Sequence, residues 1–156
     1  MTAPAASPGA AVRVGIDAVE VDRLRQALAR RPSLAQRLFT DGERAYAAGA
    51  ADPGPRLAAR FAAKEALSKA LGVGIGAVSW REIEVVRAES GAPSLLLAGE
   101  AARLAARAGI GSWHVSLTHT EALAMAVVVG AAGVGETAEA GGGAGGGAST
   151  GAEAQP

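Results

Sequence analysis

Cysteine is absent from this 156-residue chain, which removes disulfides, thiolate metal sites and thiol nucleophiles together and leaves the redox compartment open. Charge of one sign is absent too. Lys and Arg number 15 against 15 Asp and Glu, so no overall field draws the chain to nucleic acid or to an anionic membrane, and function must be sought in particular residues. Aromatics make up only 3%, so the core has to be built from Ala, Val, Leu and Ile. No apolar run approaches the roughly 20 residues that span a bilayer; the longest is Ala122 to Val129. The opening "MTAPAASPGAAV" lacks the basic and long apolar parts of a secretory signal, and a cytoplasmic location is expected.

Large side chains are scarce at both ends. Residues 1–11 are mostly Ala and Pro, and residues 131–156 are rich in Gly and Ala; both read as disordered tails, because they offer little to bury. Between them the length suits one domain, 12–130. "VRVGIDAV" alternates as a half-buried strand does, with Val12, Val14 and Ile16 on one face and Arg13, Gly15 and Asp17 on the other. Val21, Leu24 and Leu28 then recur at helical spacing among Arg23, Arg25, Arg30 and Arg31, which predicts a basic amphipathic helix. Thr40 can cap a short helix through "DGERAYAAGA". "ADPGP" breaks the chain before a helix over about Arg56 to Leu71, with Gly72 as its cap. "WREIEVVRA", the turn "ESGAPS" and "LLLA" predict a hairpin, "GEAARLAARAG" a short helix, and "WHVSLTHT" with "EALAMAVVV" two strands joined near Thr120. Hairpins interspersed with helices favour an α+β domain with a mainly antiparallel sheet and packed helices.

The stretch "RFAAKEALSKALGVGIG" carries most of the chemistry. On a helical wheel Glu65 falls between Phe61 and Lys69 on a surface of small residues. By spacing alone, Glu65 and Lys69 make an ordinary i, i+4 pair worth about 0.2–0.5 kcal/mol. Alternatively Glu65 is a hard-oxygen metal ligand, which requires a second carboxylate. Asp17 is the candidate, although as a lone residue it also fits a turn or helix entry. Gly72, Gly74 and Gly76 follow the helix, whereas phosphate-loop and dinucleotide fingerprints place their glycines before one. They serve either as a cap and turn or as a close approach of backbone to a ligand. His119 ends a strand on the face of Val115 and Leu117, as a core histidine or a site donor. Arg60, Lys64 and Lys69 suit phosphate or a solvated basic face.

In their order along the chain these pieces resemble the holo-acyl-carrier-protein synthase family, the small 4′-phosphopantetheinyl transferases. "VGIDAVEVDRL" is similar to the family's opening strand and first helix, "RFAAKEALSKALGVGIG" to its signature helix and loop, and "WHVSLTHTEALAMAVVV" to its closing strands. The resemblance covers about Val12 to Val129. It implies transfer of phosphopantetheine from coenzyme A to a serine of apo acyl carrier protein, Mg²⁺ as cofactor and a homotrimer with sites between subunits. It also places the metal ligands on Asp17 and Glu65 and the catalytic residues on Glu65 and Lys69. Contacts to coenzyme A fall on Arg60, Lys69, Gly72, Gly74 and His119, and carrier-protein docking on Arg23. The chain departs from many relatives at Ala92, where they carry lysine. Two other readings stand beside this one: a non-catalytic module that binds coenzyme A or a carrier protein, and a larger surfactin-type transferase. Retained Asp17, Glu65, Lys69 and His119 oppose the first, and the chain's length opposes the second.

Overall fold

The structure, a computed structural model, describes residues 12–74 and 76–133. In order they form β1 (Val12–Glu20), α1 (Val21–Arg30), α2 (Ser33–Leu38), α3 (Asp41–Ala48), α4 (Gly54–Leu71), a 3₁₀ turn (Trp80–Glu82), β2 (Ile83–Arg87), β3 (Pro93–Leu97), α5 (Gly99–Arg107), β4 (Ile110–His119) and β5 (Leu123–Ala132). Strands β1, β5 and β4 make a three-stranded antiparallel sheet in that order, and β2 and β3 a separate hairpin. This is an α+β architecture, as the alternation of patterns predicted.

Helix α4 lies across β1 and β5 with a buried face of Ala58, Ala59, Ala62, Ala63, Ala66, Leu67 and Ala70. Alanine at so many positions keeps helix and sheet close, which is how a chain with few aromatics fills its core. Gly15 makes the approach closest: a Cβ there would lie 1.9 Å from the Ala66 carbonyl oxygen. Both partners are backbone and cannot rotate away. Gly15→Ala is therefore expected to destabilise the protein by about 3 kcal/mol or more, at the upper end for overpacking. The thermal midpoint reads this out, and an unchanged midpoint would mean that α4 leaves the sheet freely.

The close packing inverts the expected faces of β1. Gly15, Asp17 and Val19 turn toward α4, while Val12, Val14 and Ile16 are 60%, 61% and 53% exposed on the outer face. Asp17 does point away from that apolar face, but the face itself is not the one that the domain's own core covers. Strand β5 runs to Ala132, two residues past the expected boundary at Gly130, because Ala131 pairs with Val12 and Ser112. The expected tail 1–11 lies outside the described residues, as does the expected tail 131–156 from residue 134 onward. Helix α2 was not foreseen, and α4 starts at Gly54 rather than Arg56.

Capping of α3 is as the sequence indicated. Thr40 Oγ1 accepts from the Glu43 amide and Glu43 Oε2 accepts from the Thr40 amide, a reciprocal box. Glu43 has a larger role. Its carboxylate, fully buried, lies 2.7 Å from the equally buried Lys64 ammonium and also accepts from the Val85 amide at 3.0 Å. Lys64 donates further to the Trp80 carbonyl at 2.7 Å. Lys64 is thus neither solvated nor open to phosphate. Burial holds its pKa below the ordinary lysine value, against the opposing pull of Glu43. One ion pair ties α3, α4, the 3₁₀ turn and β2 together.

Candidate active site

The register of β1 on α4 decides what surrounds Asp17. Two residues after the Gly15 contact, its carboxylate reaches the last turns of α4. There Lys69 Nζ donates to Asp17 Oδ1 at 2.6 Å and to the Ile16 carbonyl at 3.1 Å. Glu65, one turn earlier on the helix, is half-buried, and its carboxylate has no ion pair or hydrogen bond among the described residues. The i, i+4 pair with Lys69 is therefore not made; Lys69 turns to the sheet instead.

Asp17 and Glu65 share a cleft of about 480 Å³ with Arg23 and Glu20, closed on its apolar side by Leu24, Leu34, Leu38 and Phe61. Burial, then the charge of Asp17, pushes the Glu65 carboxyl above its ordinary range, with Lys69 opposing. The hydrogen bond to Asp17 is the main cause that holds Lys69 above the usual lysine value. Two hard-oxygen donors facing one cleft are a donor set that Mg²⁺ fits, since that ion takes one or two carboxylates and completes its shell with water and phosphate. No group of three or more His, Asp or Glu able to hold a metal occurs among the described residues.

A second cleft, of about 330 Å³, collects cations. Arg56 and Arg60 reach it from α4, Arg87 from β2 and His119 from the end of β4, around Tyr46 of α3 and the hairpin residues Gly91 and Pro93. The Arg60 guanidinium lies 3.9 Å from the Tyr46 ring centroid, a stacking that guanidinium favours. It is 4% exposed, and its Nε has no partner. Burial lowers the Arg60 pKa. Arg56 donates to the Tyr46 carbonyl at 3.0 Å, and Arg87 Nε to the Gly91 carbonyl at 3.0 Å. Burial raises the Tyr46 phenol, yet Arg87, Arg60 and Arg56 together bring it below the ordinary tyrosine value. Three guanidiniums in one opening suit a multiply charged phosphate.

The expected site residues thus fall into two groups. Asp17, Glu65 and Arg23 share the first cleft, with Lys69 bonded to Asp17; Arg60 and His119 share the second. Gly72 and Gly74 line neither cleft. Gly72 caps α4 in the left-handed region at φ 71°, and at both glycines an added Cβ would meet open space. Tyr46, Arg56 and Arg87 were not singled out by sequence, because no spacing links α3, α4 and β2; only Arg56, four residues before Arg60, carried a helical-face signal.

The 4′-phosphopantetheinyl transferase superfamily is matched over residues 13–128. A holo-[acyl-carrier-protein] synthase of Frankia casuarinae is 53% identical over 120 residues, 77% of this chain and 97% of that protein. One from Moorella thermoacetica is 46% identical over 118 residues, 76% of this chain and 92% of that protein. Among solved structures, a holo-(acyl-carrier-protein) synthase of Bacillus anthracis in complex with coenzyme A (3′,5′-ADP) superposes with a TM-score of 0.66 at 34% identity, covering 80% of this chain and 100% of that one. With a carboxylate cleft and a cationic cleft on a fold matched over nearly the whole length of these relatives, the chain belongs to the holo-acyl-carrier-protein synthase family.

Proposed function

We propose that this chain transfers 4′-phosphopantetheine from coenzyme A to a serine hydroxyl of apo acyl carrier protein, releasing adenosine 3′,5′-bisphosphate. The observation that carries the reading is the pairing of Asp17 and Glu65 on one cleft in a member of this family. Asp17 and Glu65 would hold Mg²⁺, which supplies positive charge to the pyrophosphate as phosphorus is attacked. Lys69 places an ammonium beside them to stabilise charge on the transferring phosphate or the leaving group. Arg60 and His119, with Arg56 and Arg87, hold the phosphates of coenzyme A by charge-assisted hydrogen bonds. Gly72 and Gly74 leave the backbone after α4 open to the same ligand. Intact-mass spectrometry of apo carrier protein incubated with this chain, coenzyme A and Mg²⁺ tests the reading. One phosphopantetheine on serine is expected, and binding without any adduct would reduce the chain to a coenzyme A-binding module.

Arg23 projects from the first turn of α1 at the carboxylate cleft and has no ion-pair partner among the described residues. An acidic carrier docks there, steered by complementary charge. Arg23→Glu should raise KM for the carrier about tenfold and flatten its rise with salt, while KM for coenzyme A stays near its original value. A variant with the opposite split would move Arg23 into the coenzyme site.

The outer sheet face exposes Val12, Val14, Ile16, Leu123 and Val127 together. We propose that neighbouring copies cover it in a homotrimer and complete the sites. An apolar face of this kind is unusual on a free subunit. Light scattering that gave the mass of a single chain would remove this part of the proposal. The cytoplasm, where coenzyme A and carrier protein are both at hand, is the proposed location. No helix among the described residues is long and apolar enough to cross a membrane.

A further inference from the structure

We propose that Lys69 is the resident counter-ion of Asp17 in the metal-free protein, and that a divalent cation competes with it for that carboxylate, so that metal arrival frees the ammonium to meet phosphate. This rests on the reading of Asp17 and Glu65 as the cation site. The Asp17 side chain is 11% exposed, and a carboxylate so covered is costly without a partner. Lys69 supplies one at 2.6 Å, steadied by the Ile16 carbonyl at 3.1 Å. Yet the Lys69 side chain is itself 55% exposed. It reaches in from the mouth of the site and can return to water at small cost, unlike Lys64, whose side chain is wholly enclosed with Glu43.

The choice of partner is informative. Glu65 stands four residues from Lys69 on the same helix, the spacing at which such pairs form, but the ammonium is bonded to Asp17. The lysine is thereby placed against the carboxylate that the ion also needs, where two cations repel. Exchange then has two consequences. The ion gains Asp17 and, beside it, Glu65. Lys69 loses its anchor and becomes free to meet the incoming phosphate. By reciprocity, a polyanion that draws Lys69 away tightens the hold on the ion.

Binding of Mn²⁺, used as a paramagnetic stand-in, is measured by electron paramagnetic resonance on the full chain without coenzyme A. Lys69→Met should tighten Mn²⁺ binding by about two- to fivefold, the range for a partly exposed pair. Arg23→Met removes a positive charge from the same cleft without touching Asp17, and should tighten binding less. Equal gains in the two variants, or none with Lys69→Met, would overturn the competition while leaving the cation site standing. Asp17→Asn should weaken Mn²⁺ binding strongly. If it bound Mn²⁺ as the unaltered protein does, the cation site itself would fall, and the competition with it.

Discussion

Glu65→Gln is expected to lower phosphopantetheine transfer by about 100-fold or more, at least the loss seen when groups that only support a metal ligand are changed, and to leave the fold intact. The amide keeps the shape of the side chain and removes its charge. Nothing among the described residues depends on that charge for a hydrogen bond, and Asp17 is relieved of a repelling neighbour. The pH dependence of stability gives a second readout with a defined sign. Burial and Asp17 raise the Glu65 carboxyl in the folded state, so between its unfolded and folded values the folded chain binds more protons than the unfolded one. Stability contributed by that proton is present below the unfolded value and is lost as pH rises through the folded value. The glutamine variant should lack this decline. Near-normal turnover of Glu65→Gln at ordinary Mg²⁺ would refute the assigned role.

The largest effect on stability belongs to the buried pair of Glu43 and Lys64. Glu43→Leu is expected to cost about 3–5 kcal/mol, the range for leaving one buried charge alone. It strands the Lys64 ammonium and removes the acceptor of both the Thr40 and the Val85 amides. Lys64→Met should cost less, because those two amides still face the carboxylate and stabilise its charge. Denaturant unfolding of the two variants provides the comparison. If Lys64→Met proved the more damaging, the amides would not be carrying the share of Glu43 assigned to them.

Much of this is legible in the sequence itself. Strand alternation, the Thr40 cap, the α4 limits to within two residues and the Gly72 cap are local signals written in short windows. What misled is what depends on distant partners. A reading by residue size puts Val12, Val14 and Ile16 inward, whereas the backbone contact that only Gly15 permits forces the other face onto α4. Lys64 has the spacing of a solvated residue, and nothing nearby in sequence reveals that Glu43 waits on another helix. The carboxylates were visible one at a time. Their meeting is a tertiary fact, as is the gathering of Arg56, Arg60 and Arg87 around Tyr46.

The register that pairs Val12 with Ala131 and Glu20 with Leu123 joins the first strand of the domain to the last. On the ribosome, then, Asp17 is made well before β5 and waits. At about 5–20 residues per second, β1 stays without its sheet partner for on the order of ten seconds while the intervening chain is made. Throughout that interval Val12, Val14 and Ile16 have neither strand nor neighbour to meet. The α4 helix can form as soon as it emerges, since its hydrogen bonds are local, but pairing so distant in sequence is slow to close. A nascent chain that ends before Leu123 therefore holds Glu65 and Lys69 on a helix with no sheet centre against which to fix Asp17. The carboxylate cleft therefore gains its sheet backing only once β5 has been made, long after Asp17 and Glu65.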